Sequence, residues 1–507
     1  MTAMRIRLPA PNSPLAAIDI GSNSFRLEVG QFVHGRYRRV LYQKETVRLG
    51  AGLDAEQRLT EAAMQRGLEC LARFAEPLSG FEPMRVRAVA TQTLREARNR
   101  DDFLRRAETA LGFPIEVISG REEARLIYAG VATLQPSTTP RLVIDIGGRS
   151  TEMILGHGRT AVTAESFNVG SVSLSLRWFP DGRFTALAFR EAQVAAGAEL
   201  EEALQLFAPV YWREALGSSG TSGAVAQILQ AAGRSDGRIT AEGLRWCIEQ
   251  CIAAGSLERL DLPSLREDRK AIIGGGLALL YTLVTHFGIR ELKPAKGALR
   301  QGVIIDLHER HAARRGAGGT DVRDQTVREL QIRFDVDVEQ ARRVHSLALT
   351  WLRQVLPDAD DEAVRELGWA ADLHEMGLMV SHHDHHRHGA YLMAQADAPG
   401  FSQSQQQRLG ELVLAQRGGL RKVEQGLQNE TFVWQVLALR LSVIKCHARG
   451  EVDAHVLHLR RDGRAAQLGF TAQWAAGHPR TLHLLREEAK SWDKQAALQL
   501  TLPAPLH

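Results

Sequence analysis

Two stretches of the chain share one pattern of apolar and polar positions. Residues 15–47 read as three strands in succession, with turn residues at Gly21 to Ser24 and at His34-Gly35. Strands at 142–146, 151–155 and 161–168 repeat that meander. The first meander is followed by helical periodicity at 59–75, a strand at 84–91, a helix at 101–111 and a strand at 115–118. Ser119 then caps a helix whose first turn carries Glu122 and Glu123. After the second meander come helices at 189–207, 222–232, 241–254 and 276–287, a strand at 211–216, and a helix from Gly302. Such symmetry predicts two similar α/β domains with a ligand cleft between their facing loops. A basic, glycine-rich linker at 314–319 separates them from residues 327–450, which keep a helical period throughout and read as an all-α domain. Short strands at 456–459, 466–470 and 498–500 around a helix near 482–492 suggest a small α/β cap.

The chemistry gathers at the tips of the two meanders. Asp145 ends a buried strand and precedes Gly147-Gly148-Arg149-Ser150-Thr151-Glu152, while Asp19 precedes Gly21-Ser22-Asn23-Ser24. Glycine lets backbone N–H groups approach an anion, and the hydroxyls add donors. Carboxylates on both sides of the second turn suit a divalent cation beside phosphates, with Asp145, Glu152 and Asp19 as its candidate ligands. Either loop alone is equally a tight hairpin; their recurrence favours function. A third loop, 216–223, runs from strand to helix and offers Gly220 and Thr221 at a helix N-terminus. Neither a Walker A loop nor a Gly-x-Gly-x-x-Gly fingerprint accompanies these loops.

Composition narrows the class. The 507 residues exceed one ordinary core and suggest roughly three or four domains. With 44% hydrophobic and 24% charged residues the chain reads as soluble and globular, and a net charge of +4 mildly favours an anionic partner. Cys70, Cys247, Cys251 and Cys446 are scattered, as expected of a reducing cytoplasm rather than a disulfide scaffold. The N-terminus lacks the apolar core of a secretory signal and reads as a loose arm. Residues 271–288 approach membrane-span length, but Gly274-Gly275-Gly276 and polar Thr282, Thr285 and His286 point to a glycine loop entering a buried helix.

Two Asp-Ile-Gly loops plus a later glycine loop resemble the sugar kinase, actin and heat-shock ATPase superfold. Within it, Asp19 to Arg26, Thr91-Gln92-Thr93-Leu94-Arg95, Ile118 to Ile127, the Asp145 loop and Gly297 to Gly302 together resemble the exopolyphosphatase and guanosine pentaphosphate phosphohydrolase family, in its long form. The resemblance implies an α/β fold of two actin-like (ribonuclease H-like) domains, followed by an all-α HD-like domain and the small cap. Boundaries are expected at 1–14 for the arm, 15–134 and 135–310 for the two domains, 311–323 for the linker, 324–450 for the helical domain and 451–507 for the cap. It further implies hydrolysis of terminal phosphate from inorganic polyphosphate, with guanosine pentaphosphate hydrolysis or regulatory binding with impaired hydrolysis as alternatives. Mg²⁺ or another divalent cation is the expected cofactor, with a monovalent cation left open. A cytoplasmic homodimer without specific nucleic-acid partners completes the expectation.

Carried over residue by residue, Glu123 would be the general base. Gly21, Ser22, Asn23, Ser24, Gly147, Gly148, Arg149, Ser150, Thr151, Arg95 and Arg269 would hold phosphates, with Gly220 and Thr221 from the third loop. The chain departs from the family at Arg149, where a third glycine is usual, and at Pro294-Ala295-Lys296, where relatives often carry Ser-Asp. The His-rich run from His382 to His388, with His374-Glu375, resembles an HD phosphohydrolase site, yet lacks the His-Asp doublet and the downstream aspartate. A polyanion-guiding surface or a dimer face is the expectation there.

Overall fold

The computed structural model describes residues 13–316, 318–450 and 456–503, so most of the expected N-terminal arm lies outside the described residues. The chain divides into two compact units that meet in sequence between Asp321 and Val322.

The N-terminal unit contains two copies of one sheet. Strands β1 (Leu15–Ile20), β2 (Ser24–Val33), β3 (Arg36–Thr46), β4 (Val86–Ala90) and β5 (Ile115–Val117) lie in the order β3-β2-β1-β4-β5. Strands β6 (Arg141–Ile146), β7 (Thr151–His157), β8 (Thr160–Phe167), β9 (Glu214–Ser218) and β10 (Leu292–Pro294) repeat it as β8-β7-β6-β9-β10. In each, an antiparallel meander adds two parallel strands, so the two similar domains read from the repeated pattern are present, in the actin-like architecture that the family resemblance implies. β1 and β6 are buried at every position, which is why they read as continuous apolar runs rather than alternating ones.

Two crossover helices join the lobes. The first, Gly120–Leu134, follows sheet one; the second, Leu299–Arg314, follows sheet two. Leu126, Ile127, Val131, Val303 and Ile304 form with Ala17 and Val89 of one sheet and Val143 and Leu216 of the other a shared core. The helices approach so closely that a Cβ on Gly302 would stand 1.7 Å from the Leu126 carbonyl oxygen, and one on Gly297 2.4 Å from Gly130. A buried ion network pins the same contact: Asp306 meets Arg87 at 2.8 Å, Arg125 at 2.6 Å and Arg310 at 2.7 Å. Burial pushes the Asp306 carboxyl up, but Arg310, Arg125 and Arg87 outweigh it and hold it below the usual carboxylate range.

Several local expectations shift. Gly274-Gly275-Gly276 lies inside the first turns of the helix Ile273–His286 rather than in a loop before it. The glycines admit a neighbouring helix, Ser171–Trp178, that the periodicity did not suggest: a Cβ on Gly275 would stand 2.6 Å from the Ser171 carbonyl oxygen. No helix among the described residues is long and apolar enough to cross a membrane. Cys247 and Cys251 pack in the core, and all four cysteines are free and buried.

The C-terminal unit is helical from Val322–Arg333 to Glu430–Lys445, then adds the sheet β11 (His458–Asp462), β12 (Ala465–Gly469) and β13 (Gln499–Thr501) beside the helix Pro479–Gln495. Three short strands bury too little alone. Leu459, Leu468, Leu500 and Trp492 therefore share one apolar core with Trp351, Leu437 and Leu441 of the helices.

Gly302→Ala is expected to destabilise the N-terminal unit by about 3 kcal/mol, because backbone rather than a side-chain tip meets the new Cβ. Gly223→Ala, also within a helix but with no atom within 4 Å of the added carbon, is expected to be neutral or stabilising by up to about 1 kcal/mol. Urea denaturation of both variants checks the contrast.

Candidate active site

The tips of β1 and β6 face each other across a cavity of about 390 Å³. Asp19, Gly21, Ser22, Asn23 and Ser24 line it from one lobe, and Asp145, Gly147, Gly148 and Ser150 from the other. The two loops meet: a Cβ on Gly148 would stand 3.0 Å from that of Ser22. Each is braced from behind, since Thr93 Oγ1 donates to Ser22 Oγ at 2.8 Å and the Gly147 N–H to the Ser150 carbonyl at 2.9 Å.

The third loop enters at Ser219, whose φ of 64° is rare for a residue with a Cβ. Its hydroxyl donates to the Ile146 carbonyl at 2.9 Å, tying this helix start to the second loop. Gly220 lies under Arg269, so close that a Cβ there would stand 1.8 Å from a guanidinium nitrogen. Gly220, Thr221 and Arg269 all line the cavity.

Glu123 comes from the first turn of the first crossover helix and also lines the cavity. Its carboxylate accepts from Arg95 at 2.9 Å. Burial pushes the Glu123 carboxyl up to about 7; Arg95 opposes this, and the charges of Asp19 and Asp145 add to it.

Strand register sets the remaining charges. Asp19 stands opposite Arg26 in the β1–β2 ladder and pairs with it at 3.0 Å. The same position in the second lobe places Asp145 opposite Glu152. Burial, then Glu123 and Asp145, drive the Glu152 carboxyl well above its usual range, and burial raises Asp145 against hydrogen bonds from Ser218 and Ser219. Among the described residues no three His, Cys, Asp or Glu side chains come close enough to hold a metal unaided. A hard cation such as Mg²⁺ needs only one or two carboxylates when phosphate oxygens and water complete its shell. The like-charged Asp145, Glu152 and Glu123 set fits such a cation in charge and donor type.

Four residues expected at the site do not line the cavity. Arg95 is held behind Glu123 by that carboxylate and the Ile118 carbonyl. Thr151 Oγ1 donates to the Val169 carbonyl at 2.6 Å, and Glu152 accepts from Ser166 at 2.8 Å. Arg149 crosses to the other lobe, where it pairs with Glu96 at 2.8 Å and donates to the Gly50 carbonyl at 3.3 Å. Conversely, Arg26, Arg39, Lys44, Arg266, Lys296 and Arg300 line the cavity without having been singled out as ligands. Arg26 was findable, because hairpin pairing puts it across from Asp19. Lys44 was not, since its partner Asp268 lies 224 residues away.

Two actin-like lobes meet at a cleft lined by hydroxyls, glycines and arginines, a donor set suited to phosphoryl oxygens. Residues 29–311 match the Ppx/GppA phosphatase family and residues 322–489 match its domain III, and the chain belongs to that family. It is 36% identical over 491 residues to the guanosine-5'-triphosphate,3'-diphosphate pyrophosphatase of Aeromonas hydrophila, covering 95% of this chain and 98% of that protein. The Aeromonas salmonicida protein of the same name shows the same identity and coverage. The exopolyphosphatase from Cytophaga hutchinsonii shares the fold with a TM-score of 0.54 at 23% identity, over 59% of this chain and 98% of that one.

Arg149→Gly removes an ion pair between lobes, and its partial exposure holds the expected stability loss to about 1 kcal/mol or less. Faster amide exchange at 92–96 and 147–151 is expected in the variant. Unchanged exchange with weakened phosphate binding would instead make Arg149 a ligand.

Proposed function

We propose that the chain hydrolyses the terminal 5' phosphoanhydride of guanosine pentaphosphate, releasing orthophosphate and leaving the tetraphosphate. The identity extending over nearly the whole length of the two pyrophosphatases carries this choice of substrate. Water attacks the terminal phosphorus, its proton passes to Glu123, and the bond to the bridging oxygen breaks. Arg95, at 2.9 Å, orients the carboxylate without reaching the substrate. Main-chain N–H groups and hydroxyls of the two loops hold the terminal phosphates, and Arg26, Arg269 and Arg300 balance their charge. Burial and the neighbouring Arg26 both disfavour the charge on Arg269, a strain that a phosphate relieves. A divalent cation held by Asp145, with Glu152 and Asp19 beside it, would neutralise charge on the transferred group.

Inorganic polyphosphate is the second substrate, favoured by the cationic wall of Arg39, Lys44, Arg266 and Lys296. Side-by-side kcat/KM values with Mg²⁺ decide between them: preference for guanosine pentaphosphate is expected, and turnover of neither would refute the hydrolytic reading.

Glu123→Gln is expected to lower kcat by about 10²- to 10⁴-fold while leaving substrate binding intact. A base must be ionised, so kcat/KM is expected to rise with pH through about 7, the value to which burial pushes Glu123. Arg95→Gln removes the cation that opposes this rise and is expected to move the acid limb to higher pH. An unmoved limb would exclude Glu123 as the titrating group.

A further inference from the structure

A fully buried carboxylate stands beside the cleft without lining it. Glu28 lies on β2, opposite Ala17 of β1 and Tyr42 of β3, and is 0% exposed. Strand alternation puts it on the same face as Arg26, which pairs with Asp19 at the cleft. A buried charge is costly unless it is paired and hydrogen-bonded.

Tyr37, Gln301, Arg39 and Arg300 meet its two oxygens. The Tyr37 hydroxyl donates to Oε1, and Gln301 Nε2 donates to Oε1 at 2.8 Å and Oε2 at 2.7 Å. Arg39 Nε stands 3.3 Å from Oε1 and Arg300 Nε 3.4 Å from Oε2. Gly30 leaves room for the Tyr37 ring, since a Cβ there would stand 2.4 Å from it. Burial and the Glu28 charge push the Tyr37 phenol up, so it stays a donor. Gln301 Oε1 accepts from the Ala298 N–H at 3.0 Å, which leaves its amide nitrogen for Glu28.

Both arginines present Nε to Glu28, and a contact at that edge leaves their terminal nitrogens for other acceptors. Arg300 Nη1 lies 3.6 Å from Asp19 of the first loop. The guanidiniums of Arg39 and Arg300 also lie 5.1 Å and 5.2 Å from the centre of the Tyr42 ring. Arg39, Tyr42 and Arg300 line the cavity.

We infer that Glu28 is a positioning residue for substrate binding: it holds Arg39 and Arg300 by their Nε edges so that their terminal nitrogens serve the phosphates in the cleft. Its role rests on the phosphate-binding cleft proposed above. By charge alone a carboxylate beside a polyanion repels it, so the two effects of Glu28 have opposite signs. Orientation outweighs repulsion, because a guanidinium already held in place loses little freedom when phosphate binds, and the two arginines neutralise the charge behind them. Arg39 depends on that hold most, its side chain being 51% exposed against 12% for Arg300.

Tripolyphosphate is titrated with Mg²⁺ into the full chain carrying Glu123→Gln, whose slowed turnover leaves binding readable by calorimetry. Adding Glu28→Gln removes a negative charge yet is expected to weaken binding about tenfold. In a chain that also carries Arg39→Gln and Arg300→Gln, Glu28→Gln is expected to change affinity by less than about twofold, as a residue that only stabilised the fold would not. Arg300→Lys is the second variant, and decides where Glu28→Gln does not fold. An ammonium keeps the charge but cannot meet Glu28 with one nitrogen and phosphate with others, so about tenfold weaker binding is expected. Equal or tighter binding after Glu28→Gln, an equal loss with and without the arginines, or Arg300→Lys binding like its parent overturns the role of Glu28. A parent chain that binds no tripolyphosphate overturns the phosphate cleft itself, and the role of Glu28 with it.

Discussion

The β6–β7 ladder sets Asp145 directly across from Glu152, two carboxylates on one face of a buried sheet, and the character of the cleft follows from that register. The equivalent ladder in the first lobe sets Asp19 across from Arg26 and is neutral as a pair. One topology, used twice, therefore yields a balanced half and an unbalanced half. Like charges facing each other in a buried ladder oppose folding, and the raised Glu152 and Asp145 carboxyls record that opposition. A protein keeps such a pair where positive charge arrives with its ligands, and gives up stability for it.

Glu123 can join this pair only because its helix is held in place. The glycine contacts at Gly130, Gly297 and Gly302 let the two crossover helices touch backbone to backbone, and the Asp306 network locks their ends to sheet one through Arg87. The first turn of that helix favours a carboxylate through its exposed N–H groups, while burial disfavours it. Burial wins, as the rise to about 7 shows, and Arg95 limits how far.

The repeated meanders, both Asp-Ile-Gly loops and the cap at Ser119 were legible because each rests on local chemistry: strand period, turn glycines and an N-cap that accepts from the Glu122 N–H at 3.2 Å. Contacts made over long separations were not. Lys44 with Asp268, and Gln301 with Glu28 at 2.7 Å, join segments that nothing in the linear pattern associates. The helix Ser171–Trp178 escaped because its Ser-Val-Ser-Leu-Ser sequence favours neither period, and packing against Gly275 fixes it. The motif Gly297 to Gly302 was seen as a signature, but its physical reason, a glycine against Leu126, required the partner helix.

Arg149 shows how magnitudes decide between readings. Its ion pair with Glu96 and that of Lys44 with Asp268 both tie one lobe to the other, and each is about one-fifth exposed. Ion pairs of that kind contribute about 1 kcal/mol or less. Burying a single large aliphatic side chain contributes about 1.5–3 kcal/mol, and the crossover helices bury Leu126, Ile127, Val131, Val303 and Ile304 together. The lobes are thus joined by the apolar helix pair, and the ion pairs between the lobes trim the arrangement rather than create it. Arg149 fits in this loop because Glu96 and the Gly50 carbonyl of the other lobe hold its guanidinium away from the cavity, which Gly147, Gly148 and Ser150 line.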